Sequence, residues 1–148
     1  MKRIFLILSV IVALSACKNK VAMKDPSAIE RAQYDTAHYT TIQWMDSVVN
    51  FGTINFGEKV QVKFRFKNVG ETPLILSNVI AGCGCTVPEY SKAPVAPGAE
   101  GVVTGAFDSN KSHPGAVRKT IRVTANTKNK QDYELVFTGE VRDCKNCN

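Results

Sequence analysis

The 148-residue sequence has few of the residues from which catalytic sites are usually built. It has two histidines, His38 in a polar stretch and His113 before a proline, and it has no Gly-x-Ser-x-Gly nucleophile motif. It also lacks a glycine-rich phosphate loop, a calcium-binding loop and any repeated segment. These absences argue against a hydrolase and against a nucleotide-dependent enzyme, so we expect a protein that is not an enzyme.

No apolar run reaches the roughly 18 to 20 residues that a membrane-spanning helix needs. The longest, Ile4 to Ala16, has 13 residues and follows the positive charges of Lys2 and Arg3, which is typical of a signal peptide. It ends in Leu14-Ser15-Ala16-Cys17, which resembles a bacterial lipobox. We therefore predict that residues 1–16 are removed and that Cys17 receives lipid. The alternative is an ordinary secretory signal that happens to contain a cysteine.

Lipid on Cys17 would make the membrane the first partner of this protein. Two or three acyl chains, palmitate among them, anchor firmly because each buried methylene contributes about 0.8 kcal/mol. Lys18 follows the cysteine, where an aspartate would resemble an inner-membrane retention signal. We expect an outer-membrane lipoprotein of the cell envelope with an envelope protein as a further partner. The sequence leaves open whether the domain lies on the periplasmic face or on the surface.

Acidic residues are fewer than basic ones, 13 against 19, but the excess is mild. Loss of Lys2 and Arg3 with the leader lowers the formal net charge from +6 to +4. A nucleic-acid-binding domain usually carries a clustered basic face. The nearest equivalent is a stripe of Lys63, Arg65 and Lys67 on one strand, which either contacts anionic lipid or glycan or is a solvated face. We expect no nucleic-acid partner.

The mature chain divides into a tether, a domain and a short tail. Residues 17–40 are polar and show no strand alternation, which predicts a lipidated tether. Within it Asp25 is a suitable N-cap and Pro26 suits a first helical turn, so a short helix over Ser27 to Gln33 is the alternative to a flexible spacer. Residues 41–142 carry the strand pattern, and residues 143–148 form a Cys-x-x-Cys tail.

Apolar and polar residues alternate in several segments after residue 40, as in half-buried β-strands. The clearest is EKVQVKFRFKNVG, in which Val60, Val62, Phe64 and Phe66 share one face. Further strands are indicated in LILSNVIAG, VVTGAF, RKTIRVTAN and YELVFTGEV, and residues 42–51 contain a broken first strand. The pattern predicts an all-β fold, an immunoglobulin-like antiparallel β-sandwich of about seven strands.

Four cysteines remain once Cys17 is assigned to lipid: Cys83 and Cys85 in AGCGCT, and Cys144 and Cys147 in DCKNCN. An even number in an exported domain favours disulfides. Three alternatives stay open: reduced cysteines that only pack, a metal site with zinc held by all four thiolates or copper(I) by a subset, and thiol exchange at the Cys-x-x-Cys pair. We expect no cofactor, and copper or zinc at these cysteines is the alternative.

The disulfide interpretation has a local and a long-range form. A Cys83–Cys85 bridge would join residues whose Cα atoms lie about 6.5 Å apart on a regular strand, near the limit for a disulfide. We expect Gly82 and Gly84 to let the backbone bend there, since glycine adopts angles closed to other residues. Alternatively, LILSNVIAG and YELVFTGEV leave the same end of one sheet. Two bridges to the tail cysteines would then enclose about 60 residues and contribute roughly 2 to 4 kcal/mol.

Several segments taken together resemble the bacterial family catalogued as domain of unknown function 1573. They are NFGTINFGEKVQVKFRFKNVGETPLIL, GCGCTVPEY and HPGAVRKTIRVTAN, within about residues 42 to 141, and the Cys-Gly-Cys-Thr core is the most distinctive part. The family is common among lipoproteins and exported proteins of Bacteroidota and is similar in fold to Hydin-type and pilus-chaperone-type immunoglobulin-like domains. The resemblance implies a β-sandwich and an envelope address, implies no reaction, and does not extend to Cys144 and Cys147.

Overall fold

The computed structural model describes residues 35–143. The predicted signal peptide, Cys17, the short helix predicted for 27–33 and the tail cysteines Cys144 and Cys147 lie outside the described residues. What the sequence indicates about them stays a prediction. Within 35–143, no helix is both long and apolar enough to cross a bilayer.

Eight strands make up the domain, and two 3₁₀ turns at Thr36–His38 and Ser109–Lys111 are the helical segments among the described residues. The strands are β1 (Ile42–Trp44), β2 (Val48–Asn55), β3 (Lys59–Asn68), β4 (Leu76–Ala81), β5 (Thr86–Tyr90), β6 (Glu100–Asp108), β7 (Gly115–Ala125) and β8 (Asp132–Arg142). They form two four-stranded sheets in the orders β1-β3-β6-β5 and β2-β8-β7-β4. The predicted all-β, immunoglobulin-like sandwich is confirmed.

The period-two pattern of β3 is what places it at the centre of the fold. Val62, Phe64 and Phe66 are at most 2% exposed, whereas the charged residues between them face solvent. The strand pairs with β6 without interruption, from Lys59 opposite Asp108 to Lys67 opposite Glu100. Burying each large apolar side chain contributes roughly 1.5 to 3 kcal/mol, so this one face stabilises the whole sheet.

Side chains of both sheets interlock in a core that leaves little room for a ligand between the layers. Phe51, Phe107 and Phe137 contact one another, and Phe107 has its ring centroid 5.6 Å from that of Phe51 and 5.7 Å from that of Phe137. Trp44, the single tryptophan of the chain, packs on Phe66 and Tyr133 at 5.3 and 5.9 Å. Aromatic side chains of both sheets therefore fill much of the space between the layers.

Two parts of the sheet arrangement differ from the sequence prediction. The broken first strand is two strands in different sheets, and β2 pairs with β8 in parallel, so the sandwich is not wholly antiparallel. The short β5 was not predicted at all. Pro88 sits at its centre, and a proline normally argues against a strand because it has no N–H for the ladder.

The long strands run between two ends of the sandwich, which we name for what they carry. At the tether end, residues 35–40 pack beside Asn68, the last residue of β3, and beside Asn126. At the bridge end, β3 begins at Lys59, β6 finishes at Asp108 and β8 finishes at Arg142. Because β3 has ten residues, the two ends lie about 33 Å apart.

Candidate functional site

The segment between β4 and β5 contains a disulfide between Cys83 and Cys85, at the bridge end of the sandwich. Their Cα atoms are 5.3 Å apart, which is shorter than the repeat of a regular strand and within the usual range for disulfides. The chain bends between the two cysteines, so this short link forms without stretching the backbone. Of the two disulfide forms that the sequence left open, the structure contains the local one.

The bend does not arise for the reason that the sequence suggested. Among the described residues, positive φ angles occur only at Gly52, Gly57, Gly98 and Gly115, so neither Gly82 nor Gly84 uses a conformation reserved for glycine. A Cβ on Gly82 would lie 2.8 Å from the Thr120 hydroxyl oxygen, whereas a Cβ on Gly84 would meet no atom within 4 Å. Gly82 is thus needed for close approach to β7, and the expectation that Gly82 and Gly84 adopt angles closed to other residues is wrong.

The two sulfurs have unequal environments. Cys85 is 4% exposed and belongs to the hydrophobic core, whereas Cys83 is half-buried and packs against that core from its edge. The hydroxyl of Thr86 lies 3.5 Å from the sulfur of Cys83 and 3.8 Å from that of Cys85. Thr86 is itself 5% exposed, so a buried hydroxyl stands within hydrogen-bond reach of both sulfurs.

Charged side chains line the surface next to the disulfide. A depression of about 180 Å³ next to Cys85 is lined in part by Lys59, Asp108 and Lys111. Lys59 and Asp108 form an ion pair of 3.6 Å. Desolvation acts to raise the pKa of the Asp108 carboxyl, but hydrogen bonds from Asn110 and the charge of Lys59 outweigh it. The pKa of Asp108 therefore lies below its ordinary value of 3.8, and the carboxylate is ionised at neutral pH.

The C-terminal strand leaves the domain at this same end. β4 and β8 both pair antiparallel with β7, so they run in the same direction, as predicted for LILSNVIAG and YELVFTGEV. Arg142 lies opposite Asn55, whose carbonyl accepts from Ser109, and the adjoining Asp108 donates its N–H to the carbonyl of Cys85. A short path of contacts thus connects the start of the tail with the disulfide.

The metal alternative uses the thiolates of Cys83, Cys85, Cys144 and Cys147, all four for zinc or a subset of them for copper(I). In the structure the first two sulfurs are bonded to each other, and the last two lie outside the described residues. No group of three metal-binding side chains occurs within 35–143. Metal binding therefore remains a prediction, and it would require a reduced bridge wherever Cys83 or Cys85 is a ligand.

The basic stripe on β3 is largely neutralised by its neighbours. Arg65 forms a two-pronged ion pair with Asp46, with its Nε 2.6 Å from the carboxylate. The hydrogen bond from Arg65 lowers the pKa of Asp46 below 3.8. Lys67 lies opposite Glu100 in the register, which leaves Lys63, opposite Thr104, with no acid directly across from it. These neighbours fit a solvated face better than a surface for anionic lipid or glycan.

The outer edges of β4 and β5 differ in their ability to accept another strand. The N–H of Gly82 donates to Thr120, so by alternation Asn78 and Ile80 also bond to β7, while the N–H and C=O groups of Val79 and Ala81 point away from it. On β5 the outward positions include Pro88, which has no N–H to offer. Among the described strands, none pairs with the outer side of β4.

The two sheets form an immunoglobulin-like β-sandwich. It is similar to PapD-like domain 7 of human CEP192, with 13% identity, a TM-score of 0.56 and coverage of 94% of this chain and 98% of that domain. It is also similar to a protein of unknown function from Porphyromonas gingivalis W83, with 16% identity, a TM-score of 0.62 and coverage of 71% of this chain and 48% of the other. At these identities the likeness establishes the fold alone.

The chain belongs to the family described as protein of unknown function (DUF1573), which matches residues 42–141. The resemblance given by the Cys-Gly-Cys-Thr core and its flanking strands is thereby confirmed. No curated protein matches the sequence. The chain spans about half the length of the P. gingivalis protein, which is 48% covered. It spans 31% of the VesB protease of Vibrio cholerae, to which it is 16% identical with a TM-score of 0.52. Neither the family nor the fold gives an indication of catalysis.

Sequence reasoning identified the two cysteines of the bridge but missed Thr86. A threonine in a strand is ordinarily a propensity choice, so its type alone carried no signal. Its place directly after Cys85, inside the most distinctive motif of the chain, was the available clue. Only the fold reveals that its hydroxyl turns towards both sulfurs.

Proposed function

We propose that this protein is an outer-membrane lipoprotein of the cell envelope, anchored through Cys17, whose immunoglobulin-like domain binds another envelope protein and performs no catalysis. The occupant that the geometry favours is an extended polypeptide segment that adds to β4 as a further strand. Binding of this kind takes its affinity from main-chain hydrogen bonds at a sheet edge and its selectivity from alternate side chains.

The observation that carries the binding proposal is the difference between the outer edge of β4 and the outer edge of β5. Val79 and Ala81 direct two N–H and two C=O groups outward from β4, whereas Pro88 removes the central donor of β5. Proline on an edge is a common means of preventing unwanted pairing. Ile80, 54% exposed, adds an apolar side chain on the solvent face of β4. One edge is thus protected while the other is left open.

Photo-crosslinking in cells tests this directly. A crosslinking amino acid replaces Ile80 on the open edge, and in the matched control it replaces Val87, which is 59% exposed on β5. We expect a defined protein adduct from position 80 alone, attached through one extended segment of the partner. Ala81→Pro should abolish that adduct, because it removes an outward N–H without affecting the β7 ladder. Equal adducts at both positions, or an adduct unaffected by Ala81→Pro, would contradict the proposal.

The anchoring through Cys17 has its own test, because it is independent of the binding proposed for β4. Metabolic labelling with an alkyne analogue of palmitate should modify the full-length protein and leave Cys17→Ser unlabelled, because that substitution removes the only thiol at the lipobox. Membrane fractionation of the same cells should find the labelled protein with the outer membrane. An unlabelled wild-type protein that retains residues 1–16 would overturn the assignment.

A further inference from the structure

We propose that the Cys83–Cys85 disulfide is a thiol–disulfide exchange site for a dithiol. Cys83 is the sulfur that the incoming thiolate attacks, Cys85 is the leaving sulfur, and the hydroxyl of Thr86 stabilises the thiolate that forms on Cys85. The reaction is stoichiometric and separate from the binding proposed for β4. Two observations support this assignment: the two cysteines are unequally exposed, and a buried hydroxyl lies beside both sulfurs.

Exposure decides which sulfur is attacked. A nucleophile must approach along the S–S axis, on the far side of the sulfur that it attacks. Cys85 is 4% exposed and is surrounded by the core, whereas Cys83 lies at the edge of that core and is only half-buried. Attack therefore falls on Cys83, and the transient mixed disulfide is formed through that residue.

A leaving thiolate at Cys85 would be costly without a hydrogen-bond donor. An apolar environment raises the pKa of a thiol and slows its departure, because the charged form loses its solvation. Thr86 supplies the donor, 3.8 Å from the sulfur of Cys85 in the oxidised form. Its hydroxyl is 3.5 Å from the other sulfur as well, so it needs only to rotate as the bond breaks. The neutral contact seen in the disulfide becomes a charge-assisted one in the thiolate.

The exchange balances without a further oxidant or reductant. The first thiolate of the dithiol bonds to the sulfur of Cys83, the Cys83–Cys85 bond breaks, and its electron pair remains on Cys85, which takes up a proton. The second thiol of the dithiol loses its proton and attacks its partner sulfur, which releases Cys83 as a thiolate that is then protonated. The dithiol has become a disulfide, and the bridge has gained two electrons and two protons.

The dithiol has two sources that share this chemistry. One is the Cys144-Lys145-Asn146-Cys147 pair of this chain, because β8 ends at Arg142 at the bridge end and five further residues reach at most about 17 Å. The other is a separate dithiol protein. A variant that lacks both tail cysteines distinguishes the two sources.

The central test compares Thr86→Val with Thr86→Ser in the full-length protein. Reduction by dithiothreitol is followed by acid quenching, alkylation and peptide mass mapping of Cys83 and Cys85. We expect Thr86→Val to slow reduction about tenfold, the effect of losing one hydrogen bond to a charged atom, whereas Thr86→Ser keeps the hydroxyl and the wild-type rate. The pH profile of the reverse reaction should show a raised pKa for the Cys85 thiol in Thr86→Val alone. Equal rates and profiles in all three proteins would overturn the role of Thr86.

A second pair of variants keeps the proposal falsifiable if Thr86→Val does not fold. Cys85→Ser leaves Cys83 as a free thiol, and Cys83→Ser leaves Cys85. We expect dithionitrobenzoate to modify Cys83 much faster than Cys85 in the folded proteins. The opposite order would overturn the assignment of the attacked sulfur.

The source of the dithiol is settled by a Cys144→Ser, Cys147→Ser double variant. Protein with a reduced tail and an intact bridge should transfer the disulfide at a rate independent of protein concentration if the tail is the dithiol, and the double variant should not. If the dithiol is separate, both proteins should react only when reduced thioredoxin is added. A bridge that no dithiol opens at neutral pH would overturn the exchange site itself.

Discussion

At the scale of single residues, two buried asparagines connect the loops of the tether end through side-chain hydrogen bonds. Asn68 is 0% exposed and satisfies all of its side-chain groups: its amide donates to the carbonyls of Thr72 and Val95, and its oxygen accepts from Thr40 and Gly70. Asn126 is 1% exposed and does the same for other loops of this end. A fully paired amide of this kind specifies one loop arrangement, because an unpaired buried amide would cost several times what a paired one contributes.

We therefore expect Asn68→Asp to destabilise the domain far more than its small change in shape suggests. The carboxylate keeps the acceptors but loses both donors, and it places its charge against two carbonyl oxygens. The expected loss is about 2 to 5 kcal/mol in the free energy of unfolding at neutral pH, measured by urea denaturation. The matched control, Asn129→Asp, makes the same change at an exposed position and should stay within about 0.5 kcal/mol of the wild type. Equal effects at the two positions would contradict this account.

Neither asparagine could be identified from the sequence as a structural residue. Asn68 ends a predicted strand and Asn126 precedes a predicted loop, where asparagine is common for turn reasons alone. The partners of Asn126 lie as far away as His38, 88 residues earlier in the chain. Local patterns carry no information about contacts over such separations.

At the scale of strands and loops, the sequence predicted best where one face of a strand is buried. EKVQVKFRFKNVG became β3 almost residue for residue, because burial of alternate side chains leaves a period-two trace. The same rule failed for β5, whose Pro88 is tolerated only because it faces an outer edge. It also could not reveal that β1 and β2 belong to different sheets, since the switch depends on pairing with β3 and β8 and not on local pattern.

The loop that carries the disulfide gives a sharp comparison between two glycines. Gly82→Ala would bring a Cβ to 2.8 Å from the hydroxyl oxygen of Thr120, so we expect it to destabilise the domain by about 1 to 3 kcal/mol through overpacking against β7. Gly84→Ala meets no atom within 4 Å and no φ penalty, so we expect a change within about 0.5 kcal/mol. Urea denaturation measures both, and alkylation followed by mass analysis shows whether the bridge still forms. If Gly84→Ala proves the worse variant, the loop must need glycine for its conformation after all.

For the molecule as a whole, the two ends of the domain carry different features. Residue 35, the first that the structure describes, belongs to the predicted tether and lies at the tether end, where the side chain of Asp35 caps the first 3₁₀ turn. The disulfide, the ion pair of Lys59 with Asp108 and the exit of β8 lie at the other end, about 33 Å away along β3. An anchor on Cys17 would therefore hold the protein by the end opposite its exchange site.

This polarity predicts that anchoring does not shield the disulfide. Reduced thioredoxin, a reagent the size of a protein domain, should reduce the Cys83–Cys85 bridge equally fast in lipidated protein on phosphatidylethanolamine–phosphatidylglycerol vesicles and in the Cys17→Ser chain in solution. The physical reason is that the chain enters the domain at the tether end, and 18 residues from Cys17 to residue 35 can reach up to about 60 Å. The membrane surface should therefore not exclude an approach to Cys83. Dithiothreitol, which is small enough to reach the site in either orientation, is the control reagent. A marked slowing on vesicles with thioredoxin, but not with dithiothreitol, would mean that the domain lies with its bridge end against the membrane.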